Sequence, residues 1–435
     1  MSASLHNPHP QKLPKKLGKL PTPVHLYFQE HLEADAHAIR GAFKQKLSRP
    51  NLHFSVKTCP LPRLLRDLSR VGWGFEVVSE ADLTMVERAK ANKKSVMASP
   101  LYPDERLLLR LLKSPLVRTI HLESPAAVLI VADLLRRHKA LLARGPQIGL
   151  RIHSGSGHFG FAPNAGTLEP PIRSLLAAGA RVRSLQIHTS SEGGAITTER
   201  FRGWFSHHLP SLLEAKKIAE RLQDSPVEHL DFGGGIEHPA TWRVPVDRIG
   251  EYHSGKIPPA AQAPRPPLEE IASAAAEGLH ESLLRAGLEN LPVSFELGRA
   301  VCSRSLSTLL SVGSVKGDLY PDASILLTDG NTSLLGPLHR VLLPFEHFSA
   351  HQPSATTQRC FIYGNLPHAS DWLYQNVELH GPHAGDKLLI RHTGAYFLSQ
   401  EAQFGHPRPE VRCAASGRVI RKAETVRSLL QRDRI

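Results

Sequence analysis

The chain has 435 residues, 41% of them hydrophobic and 21% charged, with a formal net charge of +13. This balance excludes a disordered chain and leaves room for one large domain and a smaller one, while no apolar run is long enough to span a bilayer. The positive charge is spread along the chain, and the aromatic residues do not alternate with it as stacking platforms would, which argues against nucleic acid as a partner.

In chain order, Met1–Leu20 reads as a flexible start: it has no apolar signal core and carries Lys12, Lys15, Lys16 and Lys19 among prolines and polar residues. Val24–Phe28 is β-like. Eight short β-like runs follow: Leu52–Val56, Phe75–Ser79, Ser95–Ala98, Thr119–Glu123, Ile148–His153, Ser184–His188, His229–Phe232 and Val293–Glu296. Helical periodicity separates most of them, as in Leu61–Val71, Leu107–Leu112, Ala126–Leu142, Ile172–Ala178, Leu209–Leu222 and Leu268–Ala286. Strands alternating with helices pair in parallel, and eight such units in this length predict a closed (β/α)8 barrel. An open doubly wound sheet is the alternative, but its glycine turn usually follows the first strand. Here Gly233-Gly234-Gly235 follow the seventh.

The proline-rich stretch Ile257–Pro267 is expected to be an exposed loop. From about Val301 the pattern changes to strands and turns, with runs at Ser324–Thr328, Arg359–Tyr363, Lys387–Arg391 and Ala395–Leu398. The expected division is a tail and strand over 1–45 that joins a β domain, a barrel over 46–300, and a mainly antiparallel β domain over 301–435. Cys59, Cys302, Cys360 and Cys413 show neither metal-ligand spacing nor a dense disulfide framework, so a reducing cytoplasm and no metal are expected.

Catalytic residues of such barrels sit at the carboxyl ends of strands. Those ends present Lys57, Glu76 with Ser79, Glu123, Arg151, His188 with Ser191, Asp231 with the glycines, and Glu296 with Arg299. Alone, the glycine triplet is either a tight turn or a phosphate cradle of bare backbone N–H groups. Together, an amine, several acids, a histidine and a cradle suit an aldehyde cofactor that carries a phosphate.

The segments His53-Phe54-Ser55-Val56-Lys57, Glu76-Val77-Val78-Ser79, Gln186-Ile187-His188-Thr189-Ser190-Ser191, Asp231-Phe232-Gly233-Gly234-Gly235, Glu296-Leu297-Gly298-Arg299 and Gly394-Ala395-Tyr396 resemble, in order and spacing, the fold-type III pyridoxal-phosphate enzymes of the diaminopimelate/ornithine/arginine decarboxylase group. The resemblance implies pyridoxal 5'-phosphate as cofactor, an amino-acid substrate, a barrel with an alanine-racemase-like β domain, and a homodimer with shared sites. It implies a Schiff base on Lys57, an amine of lowered pKa. Glu296 would keep the pyridine ring protonated as a quinonoid electron sink, with His188 stacked on the ring. Ser191, Gly233, Gly234, Gly235, Gly298, Arg299 and Tyr396 would hold the phosphate and its surroundings, with Glu76 near the Schiff base and Arg151 also binding the cofactor.

The chain departs from that pattern in Gly364-Asn365-Leu366-Pro367-His368-Ala369-Ser370-Asp371, which corresponds to the segment that reaches the partner subunit's site. Pro367 replaces the cysteine that protonates the product, and His368 replaces the acid that receives a distal amino group. Leu297 stands for a proline and His158 for a lysine. The expected activity is decarboxylation of an amino acid without a distal ammonium, with His368, Lys57 or water returning the proton. The alternatives are racemisation or other α-carbon chemistry, or a non-catalytic homologue with a binding or regulatory role.

Overall fold

Eight parallel strands close into a barrel: Pro50–Ser55, Gly74–Val77, Val96–Ala98, Val117–Leu122, Gln147–Ile152, Val182–Ile187, His229–Asp231 and Val293–Leu297. The last strand pairs with both the first and the seventh, which completes the circle. The computed structural model describes residues 10–12, 14–155, 157–188, 193–256, 261, 263–320 and 322–431. Successive strand residues point to opposite faces, and here the two faces differ sharply in chemistry. Phe54, Phe75, Val77, Ile120, Leu150, Leu185, Leu230 and Phe295 turn outward into the main apolar core beneath the surrounding helices. Phe43, on the helix Gln29–Lys46, meets Phe295 edge-on with ring centroids 4.6 Å apart, so this helix covers the first and last strands.

The alternate positions face the barrel axis, and they are polar or small. Register pairs His53 with Gly74, Ser55 with Glu76, His121 with Gly149, Ser184 with His229, Gln186 with Asp231 and Glu296 with His53. Barrel interiors are usually packed with valine, isoleucine and leucine. A polar interior needs internal hydrogen bonds instead. It also explains two glycines. A Cβ on Gly74 would lie 2.6 Å from His53 Cδ2, and one on Gly149 would lie 2.5 Å from His121 Cδ2. Each glycine leaves room for an imidazole lying over it.

The second unit is a mainly antiparallel sheet. Leu306–Tyr320 pairs antiparallel with Ala323–Thr328, Lys387–Ile390 and the early strand Val24–Tyr27. Gln358–Tyr363 pairs with Trp372–Leu379, and Cys360 is buried in this domain's core. The run Ala395–Leu398 is not a strand. Tyr396 has φ of 71° and precedes a short helix, Phe397–Gln400, because its amide turns back to donate to Thr58 O at 2.8 Å.

Of the expected exposed loop at 257–267, Ala263, Pro264 and Pro267 are irregular and exposed as expected, Arg265 and Pro266 are half-buried, and 257–260 and 262 lie outside the described residues. Ala261 is buried with Trp242, Val244, Tyr252, Leu342 and Trp372. Arg265 donates to the carbonyls of Pro239, Thr241 and Ala261, at 2.7, 3.3 and 2.6 Å. Prolines prevent regular structure but not packing, because their rings remain apolar. With the preceding two-strand ladder, Trp242–Arg243 against Val341–Leu342, the described residues of 242–267 form a strap that ties barrel to β domain. Among the described residues, no helix is long and apolar enough to cross a membrane.

Candidate active site

Lys57 sits on the one-turn helix Val56–Thr58, directly after the first barrel strand. Its Nζ donates to Glu76 Oε2 at 2.8 Å, with the lysine side chain one-third exposed and the glutamate fully enclosed. Burial alone would lower the Lys57 pKa, but the Glu76 and Glu296 carboxylates outweigh it and raise it. This corrects the expectation of a lowered pKa: two acids hold the ammonium charged. Burial raises Glu76 in turn, and Lys57 offsets this only in part.

Glu296 lies across the interior at the end of its strand. Gln186 Nε2 donates to its Oε1 at 2.6 Å and to Ser99 Oγ at 2.9 Å, while His188 Nδ1 is 3.3 Å from Oε2. Burial pushes Glu296 up, yet His188, Lys57 and His121 overcome it and hold the group below the usual carboxylate range. Its neighbour Asp231 is driven the other way, well above that range, by burial first and by Glu296 second. Two adjacent buried carboxyls cannot both ionise cheaply, so one proton stays between them, on Asp231. Arg151, also buried, faces this acidic group and lies 4.7 Å from the Phe159 ring.

The glycine triplet is required for close approach, and two of its three N–H groups are engaged within the protein rather than left bare. A Cβ on Gly233 would meet His188 Nδ1 at 2.5 Å, and one on Gly234 would meet the Glu296 carbonyl at 2.2 Å. Gly233 N–H donates to Asp231 Oδ1 at 2.8 Å and Gly234 N–H points at His188 Nδ1 at 3.2 Å. Gly235, at φ of 96°, turns the chain outward to the rim. His188 follows the sixth strand and rests against the glycines; burial lowers its pKa while the Glu296 carboxylate opposes this. Ser191 lies outside the described residues.

On the far side of the rim, Gly298 is required because a Cβ there would strike Thr58 Oγ1 at 2.2 Å. Arg299 pairs with Glu237 Oε2 at 2.8 Å, and its guanidinium lies 5.4 Å from the Tyr396 ring centroid. Burial lowers Arg299, but Glu237 more than restores it. Arg243 reaches the other oxygen of Glu237 at 3.3 Å. A cavity of about 240 Å³ opens here, lined by Arg243, Arg299, Arg340, His392 and Tyr396. Sequence reading missed Glu237, Arg243 and Arg340. Only the ladder between strap and β domain brings them to one place, although Glu237 does lie two residues past the triplet.

His368 is not part of this cluster in the chain. Its loop is pinned by buried Asp371, which accepts from Thr332 N at 2.7 Å, Thr332 Oγ1 at 2.8 Å and Leu366 N at 2.8 Å. Pro367 and His368 are thereby held exposed.

The residues present fit pyridoxal phosphate: an amine beside an acid, a carboxylate held anionic at the barrel's end, and guanidinium, hydroxyl and bare-backbone groups on the rim. The matching family model is that of the pyridoxal-dependent decarboxylase, pyridoxal binding domain, over residues 33–302. A diaminopimelate decarboxylase of Haemophilus influenzae is 22% identical, covering 96% of this chain and 94% of the relative. Another, of Pseudomonas fluorescens, is 23% identical, covering 86% and 83%. Among solved structures, diaminopimelate decarboxylase from M. jannaschii in complex with L-lysine aligns with a TM-score of 0.78 at 16% identity, covering 97% of this chain and 94% of that one. The lysine/ornithine decarboxylase of Vibrio vulnificus with putrescine gives a TM-score of 0.64 at 15% identity, covering 89% and 92%. The barrel with its antiparallel companion is the fold of these enzymes, and with the family model matching well over half of its length, the chain belongs to the pyridoxal-dependent decarboxylases, carboxy-lyases that act on amino acids.

Proposed function

We propose that this chain binds pyridoxal 5'-phosphate through Lys57 and decarboxylates an amino acid whose side chain ends in an anionic or neutral group. The observation that carries the reading is Lys57 at 2.8 Å from Glu76 and facing the anionic Glu296, with a cavity beside Tyr396 where Arg243, Arg299 and Arg340 converge against the single carboxylate of Glu237, a fit for a phosphate. The substrate part of the reading rests on exposed His368, which stands where the resembling family has the acid that receives a distal ammonium.

The chain's own residues divide the work. Lys57 Nζ must give up a proton before it can bond to an aldehyde, and Glu76 Oε2, already 2.8 Å away and raised by burial, accepts it. Glu296, kept anionic by His188 and oriented by Gln186, presents a carboxylate to the ring nitrogen. Arg299, Tyr396 and Gly235 take the phosphate. When bound, the cofactor supplies an electron sink for the pair released as carbon dioxide leaves. Lys57 Nζ, recharged from Glu76, returns a proton to the α-carbon. In the homodimer that this reading includes, the exposed His368 loop reaches the neighbouring subunit's site.

The test incubates the protein with pyridoxal phosphate and a panel of amino acids, following visible absorbance and carbon dioxide release. Uptake is expected in the native protein and not in Lys57→Ala, with turnover confined to acidic and neutral side chains. Robust turnover of diaminopimelate or ornithine would sink the substrate assignment, and no cofactor uptake would sink the whole reading.

A further inference from the structure

Below the carboxylates, the barrel interior holds a continuous hydrogen-bonded chain for which the proposed reaction has no stated use. His121 Nε2 lies 2.8 Å from Ser184 Oγ, Ser184 Oγ 2.9 Å from His229 Nδ1, and His229 Nε2 2.7 Å from Ser294 Oγ. All four side chains are buried. We propose that Ser294, His229, Ser184 and His121 form a proton path across the barrel interior that serves the Asp231–Glu296 carboxyl pair.

The alternation of groups supports conduction. A neutral imidazole has one donor and one acceptor nitrogen, and a hydroxyl is both, so the row can reverse its polarity as a unit. The imidazoles are neutral: burial lowers His121 to about 4 and His229 well below its ordinary value. Each hop breaks one O–H or N–H bond and forms the next, so the net change is one proton moved.

At the upper end, His121 Nδ1 and Asp231 Oδ2 are both buried without a partner. His121, Asp231 and Glu296 each place a nitrogen or oxygen atom within 4.8 Å of the other two, a gap that one water closes. At the lower end, Ser294 sits in register with half-buried Asn51. Asn51 lines an open cavity of about 430 Å³ at the amino ends of the strands, with Lys44, Arg49 and Arg118. His229 and Ser294 lie two residues before Asp231 and Glu296 on their strands, so this end of the path points to the amino ends of the strands, away from the rim that carries Lys57. His53, Arg118, Arg151, Glu76 and Lys57 are the other charged or titratable groups around it.

Mere filling does not account for these residues. Apolar side chains fill other barrels at no desolvation cost. This one instead keeps Gly74 and Gly149 bare so that imidazoles fit inside.

The inference rests on the proposed function, since the pair needs refilling only if it serves a ring nitrogen. The test compares native holoprotein with Ser184→Ala, Ser184→Thr and Ser294→Ala after a pH jump, following the cofactor's absorbance. Relaxation slowed by about tenfold or more in both alanine variants, with unchanged end-point spectra and recovery in the threonine variant, is the expected result. An unchanged rate overturns the path. If the native protein takes up no cofactor, the proposed function fails. The path is then judged on the protein alone, by imidazole nitrogen NMR. Exchange of the His121 and His229 N–H protons with solvent slows in both alanine variants if the path conducts, and unchanged exchange overturns it.

Discussion

Lys57 shows how a residue's chemistry depends on what faces it. The same lysine that reads as a nucleophile in the sequence is held as a cation by Glu76 and Glu296, and burial, acting alone, would have done the opposite. Removing one acid should therefore help at low pH. In Glu76→Gln the midpoint of cofactor uptake is expected to move to lower pH by about one unit or more, read from absorbance against pH. Asp231 carries a stability prediction. Its folded-state pKa is raised above the ordinary 3.8, so its contribution is full below that value and is lost as pH rises through the raised one. Asp231→Asn keeps an acceptor for Gly233 N–H and should gain stability over the native protein as pH rises, measured by thermal unfolding across pH. The interior histidines have the reverse sign. Burial depresses His53 and His121 from 6.5 to about 4, so their contribution is present above 6.5 and is lost as pH falls through about 4. A smaller loss of stability over that window is expected in His121→Asn.

At the scale of elements, the barrel strands were legible because each carries alternating chemistry ending at a turn signal. The β domain was less so. Gly313 and Gly317 break the apolar pattern of Leu306–Tyr320, which nevertheless runs 15 residues because the neighbouring strands supply its ladder on both edges. Ala395–Leu398 failed for the converse reason: its composition suits a strand, but the Tyr396 amide is claimed by Thr58. Glycines inside the barrel carry packing that propensity cannot show. Gly149→Ala would set a Cβ 2.7 Å from the Ser184 carbonyl as well as against His121, and Gly234→Ala one at 2.2 Å from the Glu296 carbonyl. Each is expected to cost about 1–3 kcal/mol in denaturant unfolding, and Gly234→Ala should also weaken cofactor retention.

Across the whole molecule, function depends on contacts between distant segments. The strap's Trp242–Arg243 ladder with Val341–Leu342 sets Arg243 beside the Arg299 and Tyr396 cavity. Trp242 is fully buried, so Trp242→Ala should cost about 3–5 kcal/mol and weaken cofactor retention, read from absorbance after dialysis. In the proposed homodimer, the exposed His368 loop would complete the second subunit's site and His368 would be needed there for turnover. Mixing Lys57→Ala with His368→Ala protein is then expected to restore about a quarter of native activity, the share random pairing gives to sites with both residues intact. No recovery on mixing would place His368 outside the reaction.

Strand and helix periodicity sufficed for the barrel and for setting Lys57, Glu76, Asp231 and Glu296 at strand ends, while the ordered motifs around those residues carried the family resemblance. Period-two alternation assigns faces without knowledge of partners, and strand ends of a barrel must meet on one rim. Charge states and neighbours were beyond that reach. Whether Lys57 is a cation, which of Asp231 and Glu296 keeps the proton, and that Arg243, Arg299 and Arg340 share a cavity are all set by distances of a few ångström between residues far apart in the chain. Electrostatic energy in a dry interior depends on those distances, and only the closed tertiary structure supplies them.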